Sequence, residues 1–223
     1  MMLKIIIGAM LVSILFAGQQ IAAGAPSMNF LDMLKIASKQ KDSKSSNFLL
    51  GVVYLNGDES TKQDIPKAIE HFKRDVGNLS YSSYMLGFIS ATGYDGVEPD
   101  YNKAIEYFTN AYKLESAPDN KEVGPVALAA IGHIYLDKLE QPKEALAFLL
   151  QSSKLKNIPN VDFVIALIYH TEESIKDENL AEYYLNRAYN SASDEERNYM
   201  NKYVVGGADD GQTEQNKEDS CLK

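Results

Sequence analysis

The sequence predicts an all-α protein, a solenoid of about four helix pairs, because two positions recur along the chain at the spacing of a helical repeat. The first position holds a small residue within an apolar run: Gly51, Gly87, Gly132 and Ala166. The second position holds an alanine: Ala68, Ala104, Ala145 and Ala181. The alanines are separated by 36, 41 and 36 residues, and periods in this range are typical of stacked helix pairs.

Each alanine marks the second helix of a pair, which has an amphipathic pattern and a predicted cap. A large apolar residue follows the alanine by four positions, which places both on one helix face. These residues are Phe72, Phe108, Leu149 and Leu185. The residue four positions before the alanine is Asp64, Asp100, Gln141 or Asp177. An aspartate there is expected to accept hydrogen bonds from the first amides of the helix.

The recurring glycines predict a close approach between the two helices of a pair. A glycine inside a helix costs about 1 kcal/mol relative to alanine. Its recurrence at one phase of the first helix therefore indicates that the second helix leaves no room for a side chain. The alanine of the second helix is the expected matching small residue.

The second repeat resembles the Sel-1-like repeat, a family of helix pairs related to the tetratricopeptide repeats. The matching positions are Leu86-Gly87, Gly93, Gly96-Val97, Asp100, Lys103-Ala104, Tyr107-Phe108 and Ala111. The repeat departs from the family pattern by one extra turn residue and by Ser90, where tyrosine is usual. Weaker copies extend the resemblance over roughly residues 46–191. The resemblance implies a right-handed α-α superhelix, of the secreted bacterial type, that binds other proteins.

The repeats are expected to lie between terminal segments of other kinds. We predict a signal peptide at 1–24, an N-terminal capping helix at 25–45, Sel-1-like repeats at 46–191, a C-terminal capping helix at 192–205 and a disordered acidic tail at 206–223. The individual repeats are expected at about 46–79, 80–115, 125–156 and 159–191. Pro125 is expected to open the third pair after a longer connection, and Ser193 and Glu196 have capping-box spacing in the last helix.

The composition is that of an acidic globular protein, with 45% hydrophobic and 24% charged residues. The formal net charge is −9, or −10 without residues 1–24, whose only charged side chain is Lys4. Nucleic-acid binding is not expected, because it requires clustered lysine and arginine. The charge is expected mainly to keep a tyrosine-rich solenoid in solution. The single cysteine, Cys221, excludes an internal disulfide in a monomer.

Residues 1–24 have the pattern of a cleavable signal peptide. Lys4 precedes an apolar run at 5–17, and small residues follow at 22–24. The run is shorter than the roughly 20 residues that span a membrane. We therefore expect a periplasmic or secreted protein, cleaved after Gly24 and without stable membrane insertion. An uncleaved N-terminal anchor is the alternative.

No catalytic, cofactor-binding or metal site is predicted. His71, His133 and His170 lie in three different repeats, without the short spacing that is typical of metal ligands. His71 occupies a position that is aromatic in the other repeats, which favours a packing role. The turn glycines do not follow a strand, and Cys221 lies in the predicted tail. We therefore expect no enzymatic activity and no cofactor.

A surface is the expected functional site, because the first helices of stacked pairs line the concave side of a solenoid. The predicted partner-binding groove consists of Phe48, Val52, Tyr84, Phe88, His133, Leu136, Phe163 and Leu167. It would take a peptide, a helix or a loop of a protein partner. One alternative is that half of these side chains interlock between neighbouring repeats. Another is that the convex second helices, with Tyr107 and Tyr184, bind the partner.

The sequence is therefore interpreted as an exported adaptor or scaffold that binds proteins at the cell envelope through its concave helical surface. A periplasmic immunity protein that neutralises a secreted toxic effector is the alternative. An envelope enzyme of the β-lactamase or cell-wall type is less favoured, because the sequence offers no nucleophile or metal-ligand set. A purely architectural component of an envelope complex is a further alternative.

Export gives the first testable prediction. Material recovered from the periplasm or the medium should begin near Ala25, because signal peptidase cuts after small residues at the end of the apolar run. N-terminal sequencing checks this. Recovery of the chain with Met1 intact in the cytoplasmic fraction would contradict it.

Overall fold

The computed structural model describes residues 46–57, 62–94, 96–114 and 120–204. The predicted signal peptide at 1–24, the N-terminal capping helix at 25–45 and the tail at 206–223 lie outside these residues. Within them the protein is helical and contains no strand. The helices are α1 (Ser46–Asn56), α2 (Ile65–Asp75), α3 (Ser80–Thr92), α4 (Tyr101–Lys113), α5 (Asn120–His133), α6 (Pro142–Leu155), α7 (Pro159–Thr171), α8 (Glu178–Ser191) and α9 (Asp194–Val204), with one π-helical turn (Ile134–Lys138) that continues α5.

The helices form consecutive pairs, and each pair contacts the next. The pairs are α1 with α2, α3 with α4, α5 with α6 and α7 with α8. α3 also contacts α5, so the first helices of the second and third pairs pack on each other directly. The all-α repeat fold that the sequence predicts is therefore confirmed. The buried apolar residues fall into two core clusters, one in α1–α5 and one in α5–α9, and Tyr135 and Ile158 pack against both.

The glycines of the first helices lie against large side chains of the second helices, as their recurrence predicts. A Cβ atom added to Gly87 would lie 2.7 Å from Cδ1 of Phe108, and one added to Gly132 would lie 2.7 Å from Cγ of Leu149. Gly51 contacts the ring of Phe72 in the same way. The group that excludes a side chain is thus the large apolar residue of the second helix rather than its alanine.

The predicted caps are present in three of the four pairs. Asp64 Oδ1 accepts a hydrogen bond from the amide of Lys67 at 3.0 Å, and Asp100 Oδ1 accepts one from Lys103 at 2.9 Å. Asp177 Oδ1 accepts from the amides of Asn179 and Leu180, each at 3.0 Å. Gln141 makes no such bond. These bonds satisfy amides that the first turn of a helix leaves unpaired.

A backbone hydrogen bond repeats in all four pairs and fixes the turn between the helices. The amide of the cap residue donates to the carbonyl oxygen of the residue three positions after the first anchor. The bonds are Asp64 to Tyr54 at 2.8 Å, Asp100 to Ser90 at 2.8 Å, Gln141 to Tyr135 at 2.8 Å and Asp177 to Tyr169 at 2.9 Å. The turns therefore hold the two helices in one arrangement despite their different lengths.

One helix start differs from the sequence prediction. α5 begins at Asn120, so Pro125 lies inside the helix and does not open it. Proline removes the hydrogen bond to the carbonyl four residues earlier, which here belongs to the exposed residue Lys121 and can be hydrated. α7 begins at Pro159, where a proline is well tolerated because first-turn amides have no partner in the helix.

The last two elements are held by polar contacts. Asp162 of α7 is fully buried, and its Oδ2 lies 2.6 Å from Nε of Arg187 in α8. The Ser153 hydroxyl of α6 donates to Asp162 Oδ1 at 2.7 Å, so three helices share one network. α9 begins with the predicted capping box: the amide of Ser193 donates to Glu196 Oε2 at 2.7 Å, and the amide of Glu196 donates to Ser193 Oγ at 3.3 Å.

The glycine contact gives a prediction about stability. Gly87→Ala should destabilise the fold by about 1–3 kcal/mol, because the new methyl group overlaps the Phe108 ring in a filled core. This loss should exceed the gain in helix propensity of about 1 kcal/mol that alanine brings. Urea unfolding measures the difference.

Gly77→Ala is the matched control, since nothing lies within 4 Å of a Cβ atom added there. Its stability should be unchanged or slightly raised, because alanine restricts the unfolded chain. Equal losses in the two variants would refute the close helix contact.

Candidate functional site

The residues predicted to line a concave groove are mostly buried. Six of the eight, Val52, Tyr84, Phe88, His133, Leu136 and Phe163, have at most 9% of their surface exposed. Phe48 and Leu167 are half-buried. The expectation of an open groove lined by these six side chains is therefore corrected: in the described structure they are core residues. The sequence left open that half of these side chains interlock between neighbouring repeats; in the structure six of the eight are buried.

The physical reason is that the first helices are surrounded by other helices. α3 contacts α2, α4 and α5, and every residue from 82 to 89 is buried. Residues 123–134 of α5 and 161–166 of α7 are likewise buried without interruption. A helix that is apolar on all sides is a buried helix. The absence of a polar stripe in these segments is the sequence signal that could have shown this.

Tyr84 illustrates how these side chains contribute to the core. Its ring lies 5.2 Å from the ring of Phe108, centroid to centroid, and 1% of its surface is exposed. Its hydroxyl group is buried and has no hydrogen-bond partner among the described residues. Burial raises the pKa of this phenol above its ordinary value. The residue therefore stabilises the fold through its ring and not through its hydroxyl.

Substitutions at Tyr84 separate a core role from a binding role. Tyr84→Ala should lower the free energy of unfolding by about 3–5 kcal/mol, as for other buried aromatic residues. Tyr84→Phe should leave it unchanged or raise it, since it removes a buried hydroxyl without a partner. Chemical denaturation of both variants checks this. Wild-type stability of Tyr84→Ala would mean that the ring is free to bind a partner.

His133 is a second buried polar side chain, at the junction of α5 and the π-helical turn. It has no exposed surface, and neither ring nitrogen has a partner among the described residues. Burial lowers its pKa from 6.5 to about 4, although the nearby Asp137 opposes the change. The imidazole is thus held neutral in the core, which excludes it as an accessible proton donor or metal ligand.

The burial of His133 predicts acid sensitivity. The unfolded chain binds a proton at this residue below pH 6.5, whereas the folded chain does so only near pH 4, so stability is lost as the pH falls through this window. The loss should be about 2–3 kcal/mol between pH 7 and pH 4.5. His133→Leu should abolish this component, and parallel urea unfolding at the two pH values measures it. An equal pH dependence in both proteins would contradict it.

Stacked rings recur between the first and second helices of the pairs. The residue three positions after the first anchor stacks on the residue three positions after the alanine. The pairs are Tyr54 with His71 at 5.5 Å, Tyr135 with Phe148 at 5.4 Å and Tyr169 with Tyr184 at 6.2 Å, with interplanar angles of 9°, 9° and 18°. The predicted packing role of His71 is thereby confirmed. Tyr107 and Tyr184, the alternative binding residues, both occupy the second position of this pair.

The second repeat lacks the first ring of the pair, because Ser90 stands where the other repeats have tyrosine. A pocket of about 230 Å³ lies at this place. Apolar, aromatic and charged residues of α2, α3, α4 and the turn before α4 line it: Ile69, Lys73, Leu86, Ile89, Ser90, Val97, Glu98, Asp100, Lys103 and Tyr107. The sequence shows that serine replaces tyrosine at this position. It does not show that the neighbouring helices leave the space of the missing ring open.

Other apolar side chains are exposed near the second helices. Val97 is 53% exposed in the turn before α4, and Leu155 is 57% exposed at the end of α6. Leu180 and Tyr183 of α8 are 38% and 56% exposed. The Tyr183 ring contacts Tyr184 edge to face at 5.1 Å. Single exposed apolar residues are common, but these four lie on or beside the second helices of three repeats.

The described residues offer no group of histidine, cysteine and carboxylate side chains that could hold a metal ion. Among the same residues, no helix combines the length and the apolar character that crossing a bilayer requires. The geometry therefore presents packed helix pairs, one open ring site and scattered apolar side chains.

The repeat geometry agrees with a known family. The family model described as Sel1 repeat matches residues 44–74, 80–116 and 165–193. The chain carries Sel1 repeats. The matched segments of this Sel1 repeat protein contain α1 to α4 and α8, while the third pair, α5 and α6, lies between them. No curated protein matches the chain.

Two solved structures are similar to this Sel1 repeat protein. The crystal structure of a Sel1 repeat protein from Oxalobacter formigenes has a TM-score of 0.59 and 18% sequence identity, with 81% of this chain and 69% of that chain covered. A protective antigen present in uropathogenic Escherichia coli strains, with an SLR fold, has a TM-score of 0.60 and 19% identity. That likeness covers 86% of this chain and 45% of the antigen. At these identities the likeness establishes the helical repeat fold.

Proposed function

We propose that this Sel1 repeat protein is exported and acts as a protein-binding adaptor at the cell envelope. The observation that carries the binding role is the stack of helix pairs with large apolar side chains exposed on or beside its second helices, among them Val97, Leu155 and Tyr183. Aromatic and apolar groups on a rigid scaffold are typical of the centres of protein interfaces. The pattern of residues 1–24 supports the export.

The binding surface that we propose is the outer side of the second helices. The first helices are enclosed, so most of the residues that the sequence assigned to a groove are not accessible to a partner. Val97, Leu180 and Tyr183 are accessible, and Tyr107 and Tyr184 are half-buried beside them. Of the predicted groove residues, the half-buried Phe48 and Leu167 remain candidates for contact at its edges.

We also propose that the protein works without catalysis and without a cofactor. His133 and Asp162, whose pKa values are both shifted, lie in the core rather than in a cleft. The pKa of His133 is lowered and that of Asp162 is raised, and burial is the leading cause in both. Asp162 is in addition bonded to Ser153 and Arg187. These environments support a structural role for both residues.

The test is partner capture with matched variants. The tagged chain, without residues 1–24, is used to enrich proteins from an envelope fraction of the source cells, and the recovered partner is then titrated against purified variants. Val97→Asp and Tyr183→Asp should each weaken the binding of the partner by about 2 kcal/mol or more if they replace an interface anchor.

Asn186→Asp is the control, because it adds the same charge at an exposed position of α8. It should leave the affinity unchanged. Full-strength binding by Val97→Asp and Tyr183→Asp, with both variants folded, would contradict the proposed surface. A partner that proves to be a secreted toxin inactivated by this protein would assign the narrower immunity role.

A further inference from the structure

We propose that the pocket beside Ser90 is a binding site for one aromatic side chain of a protein partner. The inference rests on the proposed protein-binding function and specifies one contact of it. In the other three repeats the chain itself places a ring at this position. In the second repeat the partner would supply the ring.

The backbone hydrogen bond at Ser90 is the same as in the repeats that contain the ring. The amide of Asp100 donates to the Ser90 carbonyl at 2.8 Å, as the cap amides of the other pairs donate to Tyr54, Tyr135 and Tyr169 at 2.8–2.9 Å. The helix pair is therefore not rearranged to close the space. The vacancy results from the side chain alone.

The second member of the stack is still in place. Tyr107 holds the position of His71, Phe148 and Tyr184, each of which stacks on a ring from its own first helix. Tyr107 is half-buried and has no ring partner within the part of the chain that the structure describes. Its ring lines the pocket at the repeat position that carries a stacked ring in the three internal examples.

The size and the lining of the pocket fit one side chain. Its volume of about 230 Å³ is below the roughly 300 Å³ at which sites for drug-sized ligands begin. Ile69 and Ile89 supply apolar walls, and Val97, which is 53% exposed, also lines the pocket. The remaining lining includes the charged side chains of Lys73, Glu98 and Asp100. A ring could enter from solvent and would be enclosed on several sides.

A cation is available for the outer face of the ring. In the first repeat Lys67 Nζ lies 5.3 Å from the centroid of the Tyr54 ring, within the range of a cation–π contact. Lys103 has the same place in the second repeat, directly before the alanine, and it lines the pocket. A bound ring would therefore lie between Tyr107 and Lys103. This pairing favours an aromatic side chain over an aliphatic one.

The experiment is an NMR titration of ¹⁵N-labelled protein, residues 25–223, with N-acetyl-tyrosinamide as the probe and N-acetyl-leucinamide as the comparison. The tyrosine probe should cause saturable shifts of the Ser90, Val97 and Tyr107 amides. The affinity of the leucine probe should be lower by a factor of about ten or more, because this probe gains neither the ring stack nor the cation contact. No saturable shift at these residues, or equal affinity for the two probes, would overturn the proposal.

Ser90→Tyr is the decisive variant, since it supplies the missing ring from within the chain. It should abolish the shifts, whereas Asn110→Tyr, which adds the same ring at an exposed position of α4, should retain them. Tyr107→Leu removes the stacking face and should also abolish them, which keeps the test decisive if Ser90→Tyr does not fold. Retained binding in a folded Ser90→Tyr or Tyr107→Leu protein would overturn the proposal.

Tyr135→Ser provides a gain-of-site arm by opening the equivalent position beside Phe148 in the third repeat. The tyrosine probe should then cause a second set of shifts there.

Nuclear Overhauser contacts between the Tyr107 ring and residues 25–45 or 205–223 would show that the chain fills its own pocket, and they would overturn the proposal. The titration uses a small probe and no protein partner. A negative titration together with a positive capture experiment would therefore contradict the pocket as a binding site and leave the proposed adaptor function intact.

Discussion

The contact between a first-helix glycine and a large second-helix side chain is the constraint on which the rest of the structure depends. Gly51, Gly87 and Gly132 each lie so close to Phe72, Phe108 or Leu149 that a methyl group would overlap it. This closeness sets the distance between the helices of a pair. The caps and the turn bonds then set where each second helix begins, so the pairs stack with their first helices enclosed. Burial of Tyr84 and His133 is a consequence of that stacking.

Much of this architecture could be predicted from the sequence, because its signals are local. The period of the alanines, the aspartate caps and the capping box at Ser193 depend on residues close together in the chain. The groove could not be predicted correctly, since accessibility depends on how neighbouring repeats pack. Placing Tyr84 and Phe163 on an inner face assumed one open side, whereas α3 contacts helices on several sides. The start of α5 was missed because Pro125 is tolerated where the carbonyl it leaves unpaired can reach water.

Departures from the repeat carry the functional information. The positions that agree between repeats form the core, the caps and the ring stacks, and these explain why the chain folds. Ser90 breaks the ring pattern while the backbone hydrogen bond of the turn is kept, so the second repeat acquires a pocket whose lining includes Tyr107 and Lys103. Exposed Val97 also lines this pocket and belongs to the proposed outer surface. In our proposal fold and recognition are thus separated: enclosed first helices support second helices whose outer side binds a partner.

A double-mutant cycle between Gly87→Ala and Phe108→Ala tests the central contact most directly. Urea unfolding is measured for the four proteins in buffer with trimethylamine N-oxide, which favours the folded state of the weakened variants. If the ring is what excludes a side chain at position 87, the alanine should destabilise the protein when Phe108 is present and should be neutral or stabilising when it is absent. The coupling energy should be at least about 1 kcal/mol. Additive losses would contradict the account, because the glycine would then be required for a reason unrelated to Phe108.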